Sequence, residues 1–255
     1  FWLSSRVQRV LAVSGAVRDY YQGSCRNRGG LHLLYNGVEL PELPLRGGLR
    51  EKLGLSQGTP VVGCVGRLVR WKGQDVFLRA AALVVREVPE IYFLLVGEPD
   101  PGESCGLEPF SQSLQALAEE LGLADRVIFT GFRSDMSAVY ATVDIAVNPA
   151  REAEPFGLAV AEAMASEIPV VAVNLGGPRE LIEGGVSGML VPPEDARSLA
   201  RAILELLTNG ERAAQLGRAG RRRVERLFDL RQQVQRLEEL YEQALAERKG
   251  MAGSF

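Results

Sequence analysis

Two glutamates eight positions apart, Glu154 and Glu162, bracket the turn Pro155-Phe156-Gly157 in a stretch that is otherwise small and apolar. From Leu158 to Ala165 every residue except Glu162 is alanine, valine, leucine or methionine, the composition of a helix packed on most sides. An ionised carboxylate there is costly unless something donates to it, so Glu162 signals either a structural partner or a ligand. Glu154 precedes Pro155, which favours extended backbone before it and suits a first helical position. Eight residues advance a helix by about 80° net and about 12 Å, so both carboxylates are expected in one cleft, Glu154 at its mouth and Glu162 a turn or two deeper. Between them the amides of Phe156, Gly157 and Leu158 lie at a helix start, where the backbone favours an anion. Acid, anion cradle and acid together suit a ligand that carries hydroxyls and phosphates. A lone buried glutamate is more often a cap or half of a salt bridge, so the reading needs a second phosphate-seeking element.

The chain supplies one. Pro60 to Gly66 is a short apolar run with β-branched residues between turn formers, the pattern of a buried parallel strand. Arg67 follows it, and Lys72-Gly73 precede a helical run from Gln74 to Glu87. Two cations at a strand's carboxyl end, beside a helix start, occupy the place where open α/β sheets bind ligands.

These residues need a scaffold, and the rest of the chain spells one out. Strands are expected near Val61–Val65, Tyr92–Val96, Val127–Thr130, Ile145–Asn148, Val170–Val173 and Met189–Val191. Helices are expected near Gln74–Glu87, Ser111–Leu121, Ser134–Thr142, Gly157–Ser166, Pro178–Glu183, Ala196–Leu207 and Glu211–Phe228. Strict alternation predicts an α/β fold, a Rossmann-like parallel sheet with helices on both faces. Gly66, Gly97, Gly131 and Gly176-Gly177 follow strands and so belong to the ligand edge. Glu98 to Phe110 is long for a plain connection and reads as a lid. Val10–Ser14 reads as a strand entering a helix capped by Ser14, and Leu31–Tyr35 as another strand, carrying the only histidine, His32, in a structural role.

Gly66-Arg67-Leu68-x-x-x-Lys72-Gly73, Glu154-Pro155-Phe156-Gly157 with Glu162-Ala163-Met164-Ala165, Pro169-Val170-Val171-Ala172 and Gly176-Gly177-x-x-Glu180 come in an order and spacing that resemble the family 4 retaining glycosyltransferases (group 1). The resemblance runs from about Val10 to about Leu207. It implies the C-terminal, donor-binding half of a GT-B fold: residues 1–40 as the tail of an acceptor-binding domain and the hinge, 41–228 as the nucleotide-sugar domain, and 229–255 as a C-terminal helix that crosses back. It implies that Arg67 and Lys72 stabilise the departing diphosphate, that Glu162 holds the ribose hydroxyls and that Glu154 holds the donor sugar. It also implies that the backbone of Gly131-Phe132-Arg133 meets the nucleobase, with Gly66 and the amides of Phe156, Gly157 and Leu158 completing the site. A nucleoside-diphosphate sugar is then a substrate and no cofactor is required. Metal-independent transfer is expected, since the sequence has no Asp-x-Asp. The acceptor would be a growing glycan or a lipid-linked sugar, reached through an N-terminal domain expected upstream of Phe1, without which this chain would not transfer sugar alone.

Composition narrows the field. A net charge of −3 leaves no overall basic field and argues against nucleic acid. Cys25, Cys64 and Cys105 are widely spaced and odd in number, which suits a reducing compartment, with Cys64 in a strand core. No apolar run reaches the roughly 18 residues of a membrane span, and Phe1-Trp2-Leu3-Ser4-Ser5 lacks a signal-peptide pattern, so a cytoplasmic location is expected. Arg218, Arg221, Arg222, Arg223 and Arg226 form a basic helix face, read as solvated, with peripheral contact to anionic lipid at the inner membrane face as the alternative. Two rival classes stand beside the enzyme. One is a non-catalytic nucleotide-sugar binding module, which the upstream reading frame would discriminate. The other is a dinucleotide oxidoreductase, which would need Gly-x-Gly-x-x-Gly after a strand, whereas Gly63-Cys64-Val65-Gly66 lies within one.

Overall fold

The computed structural model describes residues 9–22, 30–43, 48–100 and 110–252. The expected strands are all present: β1 (Val10–Ala12), β2 (Leu31–Leu33), β3 (Val61–Val65), β4 (Tyr92–Val96), β5 (Val127–Phe129), β6 (Ile145–Asn148), β7 (Val170–Val173) and β8 (Met189–Val191). β3 to β8 form one six-stranded sheet in the order β5-β4-β3-β6-β7-β8, every pair parallel. The chain therefore winds outward from β3 through β4 to β5, returns to the other side of β3, and winds outward again. The reversal leaves a crevice at the carboxyl ends of β3 and β6, because their connections leave in opposite directions.

The strands read as continuous apolar runs because both faces are covered. Val62, Cys64, Phe93, Leu95, Ile145, Val147, Val171 and Val173 pack to one side with Phe77, Leu114, Ile203 and Leu206. Those partners lie on α3 (Gln74–Val84), α4 (Phe110–Glu120) and α8 (Ala196–Thr208). Val61, Leu94, Val96, Ala146, Val170 and Ala172 pack to the other side with Tyr140, Val160, Met164 and Val224. These come from α5 (Met136–Thr142), α6 (Leu158–Ala165) and α9 (Gly210–Leu227). The one-residue alternation sends successive side chains to opposite faces, as strand geometry requires. Cys64 is buried and its thiol is pushed up to about 12 by burial, so it is a neutral core group. Cys25 and Cys105 lie outside the described residues, as does most of the loop read as a lid.

Before the sheet come α1 (Gly15–Tyr21), the expected helix capped by Ser14, and the short α2 (Leu49–Lys52), which the sequence pattern did not reveal. α2 carries Arg50, fully buried, whose guanidinium donates to the carbonyls of Ser56, Thr59 and Thr142 and to the Asp144 carboxylate. This pins the amino-terminal edge of the sheet, opposite the crevice.

After it come α7 (Pro178–Leu181), between β7 and β8, and the terminal α10 (Leu230–Ala252). The basic face of α9 is not simply solvated. Arg221 donates to the Ala165 carbonyl at the end of α6 (2.7 Å) and to Pro41 (3.1 Å), while Arg223 donates to Leu181 (2.7 Å) and Glu180 (2.9 Å) at the end of α7. Both supply donors to carbonyls that a helix end leaves unpaired. Among the described residues no helix is long and apolar enough to cross a membrane.

β1 and β2 pair parallel as a separate two-stranded sheet, which is marginal by itself. Contacts from α7, α9 and α10 hold this segment to the main body. Glu180 accepts from the amides of Gly15 (2.8 Å) and Ala16 (2.7 Å) and from the Tyr35 hydroxyl (3.2 Å), and Ser14 caps α1 through Val17 (3.1 Å). The Tyr35 ring stands edge-on to Phe228, centroids 5.1 Å apart. Arg9 reaches back to Gln243 (3.0 Å) and Glu247 (2.5 Å) on α10.

Charge-assisted bonds such as those to Glu180 are worth about 1.5–3 kcal/mol each. Glu180→Ala should therefore accelerate amide exchange across α1 and β2 by roughly tenfold or more, with the six-stranded sheet unaffected. Unchanged protection in α1 would show that the aromatic and α10 contacts suffice.

Candidate functional site

The crevice between β3 and β6 collects the residues that the sequence singled out. After β3 the backbone turns at Gly66, passes Arg67, and forms a single 3-10 turn at Arg70–Lys72. Gly73 then takes a left-handed φ of 70° and starts α3. After β6 the chain runs through Glu154 to Gly157, whose φ of 96° ends the loop and starts α6. The Lys72 ammonium meets the Glu154 carboxylate across the crevice, joining the two halves of the sheet.

Glu154 is not at the mouth of the cleft, as expected, but almost wholly buried at 3% exposure, whereas Glu162 is half-buried. The reason lies in the loop after β7. Gly176 and Gly177 lie so close to the backbone of residues 153–156 that a side chain on either would collide with it, and the Gly177 amide donates to the Glu154 carbonyl (2.7 Å). That loop roofs Glu154 over. Its carboxylate is met by Lys72 at one oxygen and by the buried Asn148 amide at the other (2.9 Å). Burial draws Lys72 down from 10.5 to about 8, and the charge of Arg67 adds to the fall. Contact with the Glu154 carboxylate favours the ammonium form of Lys72. The Lys72 ammonium also lies 4.6 Å from the centroid of the Trp71 ring.

Glu162 projects from α6 between two cavities. One, of about 470 Å³, is lined by Gly66, Arg67, Asp100, Phe132, Arg133 and Glu162 among others. The other, of about 310 Å³, is bordered by Glu39, Ser137, Tyr140, Leu158 and Glu162. Met136 borders both. Burial raises the Glu162 pKa, opposed by the bond it accepts from the Tyr140 hydroxyl (2.8 Å).

Within the larger cavity Phe132 is 68% exposed, a large apolar ring held out to solvent. Arg133 pairs with Asp135 (2.9 and 2.5 Å) and Arg67 with Asp100. Gly131, at φ 67°, accepts from the Gly97 amide (3.0 Å), which ties the turn after β5 to that after β4. Phe156 contributes backbone only, because its side chain packs in the core against Phe228, centroids 5.8 Å apart. Leu158 is exposed at the first turn of α6.

Arg67, Phe132, Arg133, Gly66 and Glu162 thus share one cavity, and the half-buried Lys72 pairs with the buried Glu154 beside it. Sequence reasoning missed Asn148, Tyr140 and Asp100. Asn148 carried a usable signal, as a polar residue ending an otherwise apolar strand. Among the described residues no group of three His, Cys, Asp or Glu side chains could hold a metal ion.

Residues 46–223 match the family described as "Glycosyl transferases group 1". This chain belongs to that family. Over 224 residues it is 34% identical to a GDP-mannose-dependent alpha-(1-6)-phosphatidylinositol monomannoside mannosyltransferase of Mycolicibacterium smegmatis, an alignment covering 83% of this chain and 56% of that protein. The chain thus spans a little over half the length of this relative. In structure it is similar to Anabaena HepE solved with UDP-glucose, with a TM-score of 0.85 at 30% identity, over 94% of this chain and 65% of that one. It is also similar to a sucrose-phosphate synthase from Thermosynechococcus elongatus, with a TM-score of 0.84 at 32% identity, over 96% of this chain and 60% of that one. Both likenesses cover the Rossmann-like α/β body, so the group 1 assignment and the fold agree.

The lowered Lys72 pKa sets the pH range in which the crevice offers an ammonium. A side chain that titrates near 8 loses its charge as pH rises through that value, and anion binding that needs the charge weakens with it. A nucleoside diphosphate, used as probe, should bind roughly tenfold or more weakly at pH 9.5 than at pH 7, and Lys72→Met should flatten this dependence. Calorimetry giving a level profile for the unaltered chain would show that Lys72 does not face the anion.

Proposed function

We propose that this group 1 chain is the donor-binding part of a family 4 retaining glycosyltransferase. It would hold a nucleoside-diphosphate sugar at the β3–β6 crevice, for transfer to a glycan or lipid-linked acceptor carried by an N-terminal domain. The observation that carries this is the convergence, at the sheet reversal, of two cations, a helix start and two carboxylates in different environments. Support comes from the GDP-mannose-dependent relative and from the UDP-glucose complex of a structurally similar protein.

The chemistry follows from charge. As the glycosidic bond to the diphosphate breaks, negative charge grows on the departing β-phosphate. Fixed donors aimed at that oxygen stabilise the transition state more than the ground state. Arg67, Lys72 and the amides from Phe156 to Leu158 take this role, with no divalent ion needed to neutralise the phosphates. Glu162 accepts from the ribose hydroxyls in the larger cavity, where Phe132 and the backbone of Gly131 and Arg133 meet the base. Glu154 accepts from hydroxyls of the sugar. Lys72 must then serve two anions, the Glu154 carboxylate and the phosphate, which a three-donor ammonium can do.

Charge-assisted bonds are worth about 1.5–3 kcal/mol each, so Arg67→Ala with Lys72→Ala should weaken nucleoside diphosphate binding by roughly 10²–10⁴-fold while sparing the bare nucleoside. Titration with and without EDTA should give the same donor affinity. Equal weakening of both ligands, or a large loss in chelator, would overturn the metal-free diphosphate site.

Transfer itself needs donor and acceptor held together with water excluded, a positioning effect worth roughly 7–11 kcal/mol. The 255-residue chain should bind donor but transfer no sugar to an acceptor until an N-terminal domain is supplied. Robust transfer by the isolated chain would show that the acceptor wall lies within it.

A further inference from the structure

We propose that Tyr140 is a positioning residue for Glu162, its buried hydroxyl holding one carboxylate oxygen so that the other is presented to the vicinal hydroxyls of the ligand's ribose. The inference rests on the nucleotide-sugar reading above. Tyr140 lies on α5 with only 4% of its surface exposed, its ring in the core with Val160 and Met164. Its hydroxyl has one proton and two acceptors in reach, Glu162 Oε2 at 2.8 Å and the Ala159 carbonyl at 3.3 Å. The shorter, charge-assisted contact takes the proton. Glu162 Oε1 has no hydrogen-bond partner among the described residues, and its side chain borders the larger cavity together with Arg67 and Phe132. A carboxylate on a flexible three-torsion stem, standing between two cavities, can turn towards either. Tyr140 removes that freedom before the ligand arrives, which lowers the ordering cost of binding.

The protonation states support this arrangement. Burial, together with the Glu162 charge, raises the Tyr140 pKa well above its ordinary value, so the hydroxyl remains a donor wherever a nucleotide would bind. Burial raises the Glu162 pKa and the Tyr140 bond opposes the rise. Removing the bond should therefore let Glu162 take up a proton at higher pH.

The test compares uridine and guanosine diphosphates with their 2′,3′-dideoxy counterparts, on the unaltered chain and on Tyr140→Phe, which keeps the ring in the core. The ratio of ribo to dideoxy affinity cancels the titration of the phosphates themselves. Tyr140→Phe should weaken the better-bound ribonucleotide by roughly tenfold, leave the dideoxy form unchanged, and move the acid fall of the ratio to higher pH. Glu162→Gln should abolish the ratio, and adding Tyr140→Phe to it should change nothing further. Equal weakening of ribo and dideoxy forms would make Tyr140 a support of the fold alone and overturn the proposal, as would an unchanged ratio and pH profile. If the unaltered chain holds the two forms alike, or holds neither, the nucleotide reading of Glu162 falls and the role of Tyr140 falls with it.

Discussion

A carboxylate at 3% exposure must be neutralised, and in this chain the neutralising group comes from the other half of the sheet. Glu154 belongs to the loop after β6 and Lys72 to the loop after β3, two strands that are neighbours only because the winding reverses between them. Leaving either charge alone would cost several kcal/mol, since an unpaired buried ion keeps its desolvation penalty without its partner's field. The pair therefore fixes how far the two loops can part. That distance determines the width of the crevice and hence what fits between Arg67 and the start of α6. Fold and site share this constraint.

Both carboxylates are handled in the same way at one oxygen. A buried neutral donor, Asn148 for Glu154 and Tyr140 for Glu162, takes Oε2 in each case. Neutral donors orient a carboxylate without cancelling its charge, so the remaining capacity stays available to a ligand. The two differ in what occupies the second oxygen. Glu154 already has Lys72 there, whereas Glu162 borders two cavities. One carboxylate is therefore part of a charged pair that a ligand must join, and the other is an acceptor in waiting.

The architecture was legible because its signal is local. Val61–Val65, Tyr92–Val96 and Val170–Val173 are short apolar runs between turn formers, and in the structure they are strands with the expected bounds. Helix ends shifted by a residue or more, as for Gln74, whose helix stops at Val84 rather than Glu87. The site was legible as a set of residue types but not in depth. Nothing near Glu154 in sequence says that Gly176 and Gly177 will roof it over, because that packing comes from a loop more than twenty positions away. The basic run in α9 misled for the same reason: Arg221 and Arg223 are defined by carbonyls at the ends of α6 and α7, and no feature of their own helix reveals those partners. Burial and pairing across distant loops are tertiary facts, whereas periodicity and turn chemistry are not.

The segment from Gly176 to Glu180 touches two places at once. Its first end is packed on the backbone of Glu154, and its last side chain grips the first turn of α1. Five residues of tightly bonded backbone make a stiff link, so this stretch acts as a short lever with the crevice at one end and the opening segment of the chain at the other. The amides of Gly15 and Ala16 are held by the Glu180 side chain, and the Glu154 carbonyl by the Gly177 amide, so both ends of the stretch are tied. The placing of the first segment and the depth of the carboxylate therefore depend on the same five residues.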